Sequence, residues 1–390
     1  MAKRVFLHVG TMKSGTTFLQ SLMWKHRAAL LERGLLLPGE RLLRHFHSSA
    51  LVCGRQEVID ELTPAELGTW ERLLEQVREF DGDGFIGHEL FSPATPEQAA
   101  GALADLEKVA DEVHVVLTMR DLGRQLPSHW QEVVKSGTTA TLAEYAAAIE
   151  ADPDEKFWTF HDAPRLLARW TQGLPAERVH VVVVPKKAPS DWLWREFLGL
   201  MGVSSEGLDH VSDNPNTSLD MGGAEVMRRV QLAIPADEHG LTMRRLTKGF
   251  LTRDVLGPAG SRTPFVIGPD AHAFLVRRAA EMTEELRSRG YDVVGDLDDL
   301  LVDPTPPAGR TADDVTEDEV ASVAVGGLAR MVVHDRHQRD EIATLLAQRA
   351  RLRGRVEALE RQLAQASAPA QRRPLHRRLR SAVGRRLRRG

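Results

Sequence analysis

The feature that most constrains the fold is the stretch of residues 6–20, which reads FLHVGTMKSGTTFLQ. An apolar run leads into Gly10 and Gly15, and hydroxyl residues then begin a segment with helical periodicity. This order is typical of a buried strand, a phosphate-binding turn and a helix. The glycines let the turn curl so that its N–H groups point inward, and the start of the helix adds partial positive charge. The stretch therefore predicts a strand–loop–helix unit with an anion site in the loop.

The lysine of this loop does not stand where a nucleotide-triphosphate loop has it. In a Walker A loop the lysine follows the second glycine and reaches the β- and γ-phosphates. Here Thr16 follows Gly15, and Lys13 lies earlier, on the crown of the loop. A lysine in that position would lie over one 5′-phosphate and its leaving bond. It is poorly placed to follow a triphosphate chain.

Similar apolar runs predict the other strands of a sheet. We expect strands at 4–10, 35–37, 84–89, 113–119 and 179–184, and helices that include 16–33 and 64–80. Valine and leucine runs separated by helices are what a parallel sheet covered on both faces requires. The predicted class is therefore α/β, a three-layer fold with a parallel sheet and a P-loop-like turn, followed by a C-terminal helical extension.

The cysteine count and the lengths of the apolar segments predict the cellular compartment of the protein. The chain has 390 residues and one cysteine, Cys53, which cannot form an internal disulfide, so we expect a reducing compartment. We find neither the apolar stretch of a signal peptide nor a window of about 18 apolar residues that could span a membrane. These observations predict a cytoplasmic protein.

The net charge of −4 is unevenly distributed. Residues 371–390 contain nine arginines and no Asp or Glu, which leaves −13 for the rest of the chain. A body that acidic is a poor general binder of nucleic acid, so we expect no nucleic-acid partner and a local, purpose-built anion site. The sequence shows no cluster of metal-ligand residues, and we expect no metal.

The C-terminal part predicts separate segments. We expect a main domain at 1–302, a linker and short helix at 303–334, a coiled-coil-like helix at 335–368 and an Arg-rich tail at 369–390. The helix has a stripe of apolar residues at heptad a and d spacing, interrupted by Arg349: Ile342, Leu345, Leu352, Val356, Leu359 and Leu363. About three heptads are typical either of a short coiled coil, which would make a homodimer, or of a helix packed on the body.

The Arg-rich tail also leaves two alternatives open. Its leucines and valine recur at a four-residue spacing, which is compatible with a basic amphipathic helix on the anionic inner face of a membrane. The other alternative is a solvated, disordered tail, since short isolated helices are marginal in water.

The loop resembles the 5′-phosphosulfate-binding loop of the sulfotransferases that use 3′-phosphoadenosine 5′-phosphosulfate (PAPS). Their pattern is close to P-K-[ST]-G-T-T and an aromatic or aliphatic residue, and residues 12–18 read MKSGTTF, departing only at Met12. The resemblance implies a fold related to P-loop nucleotide kinases. It also implies that the 5′-phosphosulfate is held by five loop residues: Lys13, Ser14, Gly15, Thr16 and Thr17.

A second motif fits the same family. Its members hold the 3′-phosphate of PAPS with an arginine at a strand end and a serine eight residues on, and this sequence has Arg120 and Ser128. A guanidinium forks onto phosphate oxygens, and a hydroxyl donates a further hydrogen bond. A Walker B strand would instead end in an aspartate for Mg²⁺. Here Arg120 is the first polar residue after the apolar run, with Asp121 behind it.

Transfer of a sulfuryl group needs a base for the acceptor's proton. The family places it near the end of a central strand, as a histidine in many cytosolic members and a glutamate in carbohydrate-modifying ones. Residues 84–93 read GFIGHELFSP, so Glu89 is the first candidate and His88 the second. Neighbours on a strand point to opposite faces, so we expect one of them to line the cleft. Lysine often follows the glutamate in that branch, and Leu90 stands there instead.

The resemblance thus implies a bacterial sulfotransferase nearer the carbohydrate-type branch. It would move a sulfuryl group from PAPS to a hydroxyl or amine of a carbohydrate, glycolipid or small metabolite. Two other functions stay open: a P-loop kinase or NTPase, and a non-catalytic scaffold that acts through the coiled coil and basic tail.

Overall fold

The computed structural model describes residues 1–212, 218–257 and 265–367. Six parallel strands form one sheet with the order β2-β3-β1-β4-β5-β6. The strands are β1 (Ala2–His8), β2 (Leu35–Leu36), β3 (Asp83–Gly87), β4 (Ala110–Met119), β5 (Val179–Val183) and β6 (Asp292–Val294).

Helices connect and cover these strands. In chain order they are α1 (Thr16–Lys25), α2 (Arg27–Glu32), α3 (Leu43–Val52), α4 (Gln56–Ile59), α5 (Pro64–Leu67), α6 (Thr69–Glu79), α7 (Pro96–Glu107), α8 (Leu122–Val134), α9 (Leu142–Ala151), α10 (Lys156–His161), α11 (Ala163–Trp170), α12 (Trp192–Leu200), α13 (Met221–Ala233), α14 (Leu241–Arg245), α15 (Pro269–Ser288) and α16 (Glu317–Ser367). A π-helix spans Leu246–Leu256, directly after α14.

Alternate strand residues contribute to two separate cores. On β1, Val5 and Leu7 belong to the core that includes side chains of α6 to α11 and α15. Phe6, between them, belongs to the core that includes side chains of α1, α2 and α12. Strands β4 and β5 alternate in the same way. The period-two pattern confirms the predicted three-layer α/β fold with both faces of a parallel sheet covered.

Several element boundaries differ from the predictions. The helix predicted at 16–33 is two helices that meet at His26, and the helix predicted at 64–80 is interrupted at Gly68. The predicted strand 84–89 ends at Gly87, because the His88 ring accepts the N–H of Leu90 and the chain turns into a short 3₁₀ helix. Strand β6 has only three residues and was not predicted.

The strand order determines where the loops meet. Strand β1 lies between β3 and β4, and all three run in the same direction. The segments that follow them therefore emerge at one edge of the sheet, which is where α/β folds bind ligands. Residues 10–15, 88–92 and 120–121 converge there.

The chain divides into two compact units, residues 1–328 and 329–390. In the second unit the described residues, 329–367, are helical, and α16 begins well before the start predicted at residue 335. The Arg-rich tail predicted at 369–390 lies outside the described residues. Among the described helices, none is both long enough and apolar enough to cross a membrane.

Candidate anion-binding site

The loop between β1 and α1 requires both of its glycines. Gly10 and Gly15 have φ of 125° and 91°, in the region that side chains rarely adopt, and Lys13 between them has φ 61°. A Cβ on Gly15 would lie 2.5 Å from Leu193 Cδ2, and one on Gly10 would lie 2.5 Å from Ser92 Oγ. The loop thus follows a tight path that leaves no room for larger residues there.

Side chains fasten the loop to the neighbouring elements. Ser14 Oγ donates to the Thr11 carbonyl at 2.6 Å and lies 2.7 Å from Thr118 Oγ1 of β4. Gln125 of α8 is buried, and its amide donates to Thr11 Oγ1 at 2.7 Å. The Ser14 side chain therefore stabilises the loop from inside, while its backbone N–H stays part of the predicted anion site. Sequence reasoning missed Gln125.

Three lysines and one glutamate lie together near the crown of the loop. We call them the lysine cluster: Lys13, Lys135, Lys248 and Glu132. Lys13 Nζ lies 2.8 Å from Glu132 Oε2 of α8, and Lys248 Nζ of the π-helix lies 2.6 Å from Oε1 of the same carboxylate. Burial raises the pKa of the Glu132 carboxyl, but the two lysines more than compensate and hold it far below its usual range. Glu132 is therefore ionised.

Lys135 lies close enough to the cluster for the charges of Glu132, Lys13 and Lys248 to act on its ammonium group. Lys135 is buried, and its ammonium group has a pKa of about 8. Burial is the main cause of this lowered pKa; Glu132 raises the pKa, and Lys13 and Lys248 lower it. Lys13 and Lys248 share the single carboxylate of Glu132, an arrangement that favours an added anion. Of these four residues only Lys13 was predicted. The available signal was the helical spacing of Ser128, Glu132 and Lys135, which puts them on one face of α8.

Arg120 and Ser128 lie at the end of β4 and in the second turn of α8. Arg120 Nη2 donates to the Arg124 carbonyl at 3.0 Å, while its buried Nε has no hydrogen-bond partner. Burial lowers the pKa of this guanidinium to about 10. Within the described part of the chain no carboxylate forms an ion pair with it. A desolvated cation of this kind fits an anionic ligand.

Two histidines that the sequence did not single out lie close to these cations. The His129 and His161 rings are 4.8 Å apart, and both are buried. Burial lowers the pKa of His129 to about 3. Burial also lowers the pKa of His161 well below its ordinary value, and His129, Arg120 and Lys13 lower it further. Neither ring nitrogen of His161 has a hydrogen-bond partner. The pairing of β1 with β4 and the hydrogen bonds of Thr118 with the loop bring Lys13 and Arg120 to the same edge of the sheet.

The candidate bases lie beside the start of the loop. Glu89 begins the 3₁₀ helix after β3, and a Cβ on Gly10 would lie 3.8 Å from the Glu89 Cα. Gln20 of α1 donates to Glu89 Oε2 at 2.8 Å, and His88 Nδ1 is 3.8 Å from the same oxygen. The two candidates are therefore neighbours in space. Strand alternation, from which we expected opposite faces, does not apply beyond Gly87.

Their protonation states differ. Burial raises the pKa of the Glu89 carboxyl, but His88, its own backbone N–H, Gln20 and His8 together lower it below its ordinary value. On the two histidines burial has the opposite effect. It lowers the pKa of His88 below its ordinary value and the pKa of His8 to about 4. Near neutral pH Glu89 is therefore a carboxylate, with neutral imidazoles beside it. A carboxylate in this position can accept a proton.

The described residues do not form a candidate metal-binding site. Among residues 1–212, 218–257 and 265–367, no group of three or more His, Cys, Asp or Glu side chains could hold a metal ion.

Comparison with known proteins gives likenesses in structure only. The chain is similar to a sulfotransferase from Alicyclobacillus acidocaldarius, with 14% identity, a TM-score of 0.44, and coverage of 75% of this chain and 97% of that one. It is also similar to the sulfotransferase domain of the Synechococcus PCC 7002 olefin synthase, with 13% identity, a TM-score of 0.28, and coverage of 64% and 94%. No protein-family model and no curated protein matches it. Both TM-scores are low, so neither likeness decides the activity.

The lowered pKa of Lys135 predicts how anion binding depends on pH. An anion near the cluster favours protonated Lys135, whose pKa is about 8 in the free protein. Binding is then coupled to proton uptake above that pH, so sulfate affinity should fall about tenfold between about pH 7 and 9.5. Calorimetry with sodium sulfate measures this. Lys135→Met should bind more weakly at neutral pH and lose most of the pH dependence. An unchanged profile in Lys135→Met would contradict the prediction.

Proposed function

We propose that this protein is a sulfotransferase that moves a sulfuryl group from PAPS to a hydroxyl or amine of a carbohydrate, glycolipid or small-metabolite acceptor. The observation that carries the proposal is the pairing of two cationic sites at one sheet edge. Lys13 lies on the crown of a glycine-constrained loop, and Arg120, half-buried with a buried and unpartnered Nε, follows the end of the adjacent strand. A nucleotide with phosphate groups at both the 5′ and 3′ positions needs two such sites.

The residues present fit the donor. Loop N–H groups, the start of α1 and Lys13 would hold the 5′-phosphosulfate, with Thr16 and Thr17 in the first turn. Arg120 and Ser128 would hold the 3′-phosphate, since the unpartnered Arg120 Nε and its neighbouring nitrogens can donate to phosphate oxygens. This assignment gives the half-buried guanidinium of Arg120 the anion that the described residues do not supply.

In the proposed transfer step, Glu89 accepts a proton and Lys13 stabilises the leaving group. The acceptor's oxygen or nitrogen attacks the sulfur, and the bond from sulfur to the bridging oxygen breaks. Its electron pair leaves with the 5′-phosphate of adenosine 3′,5′-bisphosphate. The acceptor's proton goes to the Glu89 carboxylate, and Lys13 stabilises the charge that grows on the bridging oxygen. A glutamate base is our reason for placing the chain nearer the carbohydrate-modifying branch.

A kinase or NTPase function is less well supported. The aspartate that would hold Mg²⁺ at the end of β4 is Asp121, which is buried and caps α8. Its Oδ1 accepts the Arg124 N–H at 2.9 Å, and its Oδ2 pairs with the Arg124 guanidinium. Both oxygens are already engaged. The position of Lys13 before Gly15 argues in the same direction.

Nucleotide preference tests the donor. By calorimetry, adenosine 3′,5′-bisphosphate should bind at least about tenfold more tightly than ATP. Lys13→Ala should weaken its binding about 10- to 100-fold, the loss expected for a charge-assisted contact with phosphate. Lys3→Ala is the matched control, because Lys3 is exposed at the opposite end of β1. Tighter binding of ATP would overturn the proposal. Activity that survives Lys13→Ala and is lost on deletion of residues 335–390 would favour the scaffold.

A pair of substitutions tests the base. Glu89→Gln should lower kcat about 10²- to 10⁴-fold, because the amide cannot accept the acceptor's proton. His88→Asn should have a much smaller effect, since its oxygen can replace the ring nitrogen that accepts the Leu90 N–H. The measurement is release of adenosine 3′,5′-bisphosphate from PAPS, with the acceptor identified from a panel of carbohydrates, glycolipids and small alcohols. A larger loss in His88→Asn would instead make His88 the base.

A further inference from the structure

Glu132 lies where it can compete with a bound anion. It follows Ser128 by one turn of α8, so both side chains lie on the same helix face. Its carboxylate oxygens are 2.8 Å from Lys13 Nζ and 2.6 Å from Lys248 Nζ. The loop lysine that the donor would need is therefore already bound by a carboxylate of the protein itself.

This ion pair is stronger than an ordinary surface pair. The side chains of Lys13 and Glu132 are only 27% and 19% exposed, so water and salt screen them poorly. The strongly lowered pKa of Glu132 has the same origin, since its lysines outweigh the cost of burial. An incoming phosphosulfate must break this contact or approach a nearby negative charge.

We propose that Glu132 is a positioning residue that holds Lys13 when no nucleotide is bound and competes with the nucleotide for it. The inference rests on the proposed function and concerns its regulation. The ion pair keeps Lys13 ordered at the crown of the loop in the absence of donor. After transfer, the same carboxylate favours departure of adenosine 3′,5′-bisphosphate, because Glu132 recovers Lys13 as the 5′-phosphate leaves.

Glu132→Gln tests this competition. The amide removes one negative charge from the site, so adenosine 3′,5′-bisphosphate should bind about tenfold more tightly and dissociate more slowly. The dissociation constant is measured by calorimetry and the dissociation rate by stopped flow. In a Lys13→Ala background the same substitution should have a clearly smaller effect, which a merely structural role would not produce. Glu107→Gln is the control, because Glu107 is exposed and precedes β4 at the opposite edge of the sheet.

The outcomes separate this inference from the proposed function. Wild-type protein that binds no adenosine 3′,5′-bisphosphate overturns the proposed function. Wild-type binding that is unchanged or weakened by Glu132→Gln overturns only the role of Glu132. If the amide variant does not fold, Glu132→Asp replaces it, since the shorter arm cannot hold both lysines and binding should tighten about two- to threefold. Unchanged or weaker binding in Glu132→Asp also overturns the role.

A different observation concerns helix α16. Its heptad stripe, defined by the six residues Ile342, Leu345, Leu352, Val356, Leu359 and Leu363, is more than half exposed at every position. An apolar stripe with this spacing is stabilised when a second helix covers it. Arg355 and Glu360 occupy flanking g and e positions, so two parallel copies in register place opposite charges next to each other across the seam.

We infer that the stripe pairs with the same stripe of a second copy in a parallel coiled coil. Analytical ultracentrifugation of the full chain should show a dimer. Leu352→Asp combined with Leu359→Asp should give a monomer, because two charges enter the seam. Ala343→Asp combined with Ala350→Asp is the matched control, with the same charges off the stripe, and should stay dimeric. A monomeric wild type, or a dimer that survives the leucine substitutions, overturns the inference.

Discussion

The pairing of the loop with the end of β4 is the interaction on which the site depends, and Thr118 is its centre. Its backbone carbonyl accepts the Thr11 N–H at 2.6 Å, and its N–H donates to the Gly10 carbonyl at 2.6 Å. Its hydroxyl lies within hydrogen-bonding distance of Ser14 Oγ and His8 Nε2. Because Thr11 and Thr118 are fully buried, these bonds are shielded from solvent and offset the entropy lost when the loop is held in one conformation. The hydrogen bonds of Thr118 therefore fix the conformation of the loop that we propose as the anion site.

Around this loop the protein places positive charge that it does not fully neutralise. The arginine that ends β4 has no ion-pair partner among the described residues, and two lysines, Lys13 and Lys248, share Glu132. Buried cations are unfavourable unless an anion compensates them. In an otherwise acidic body, this local imbalance is our reason for proposing anion binding at this edge of the sheet. The carboxylate of Glu89 lies beside the start of the same loop, where the proposed transfer reaction would use it as the proton acceptor.

Much of the fold could be predicted because it follows from local patterns. Apolar runs of the right length marked β1, β4 and β5, and the glycine spacing marked the loop. Shorter elements could not be predicted in this way. Strand β6 is held by its pairing with β5, including the contact of Asp292 with His180 at 2.6 Å, rather than by an apolar run of its own. The end of β3 likewise depends on one side-chain hydrogen bond, from the Leu90 N–H to His88.

By itself the sequence determined the α/β class, the anion loop with its unusual lysine, and the residues Arg120, Ser128 and Glu89 as candidates, because each is written in a local pattern of residue types. The tertiary structure alone decided which distant side chains meet these residues. Lys13 and Lys248 are each more than a hundred positions from Glu132 in the sequence. Only folding brings their ammonium groups to the Glu132 carboxylate. The interaction between two charges depends on their distance in space and not on their separation along the chain. The net charge around the site could therefore be determined only from the tertiary structure.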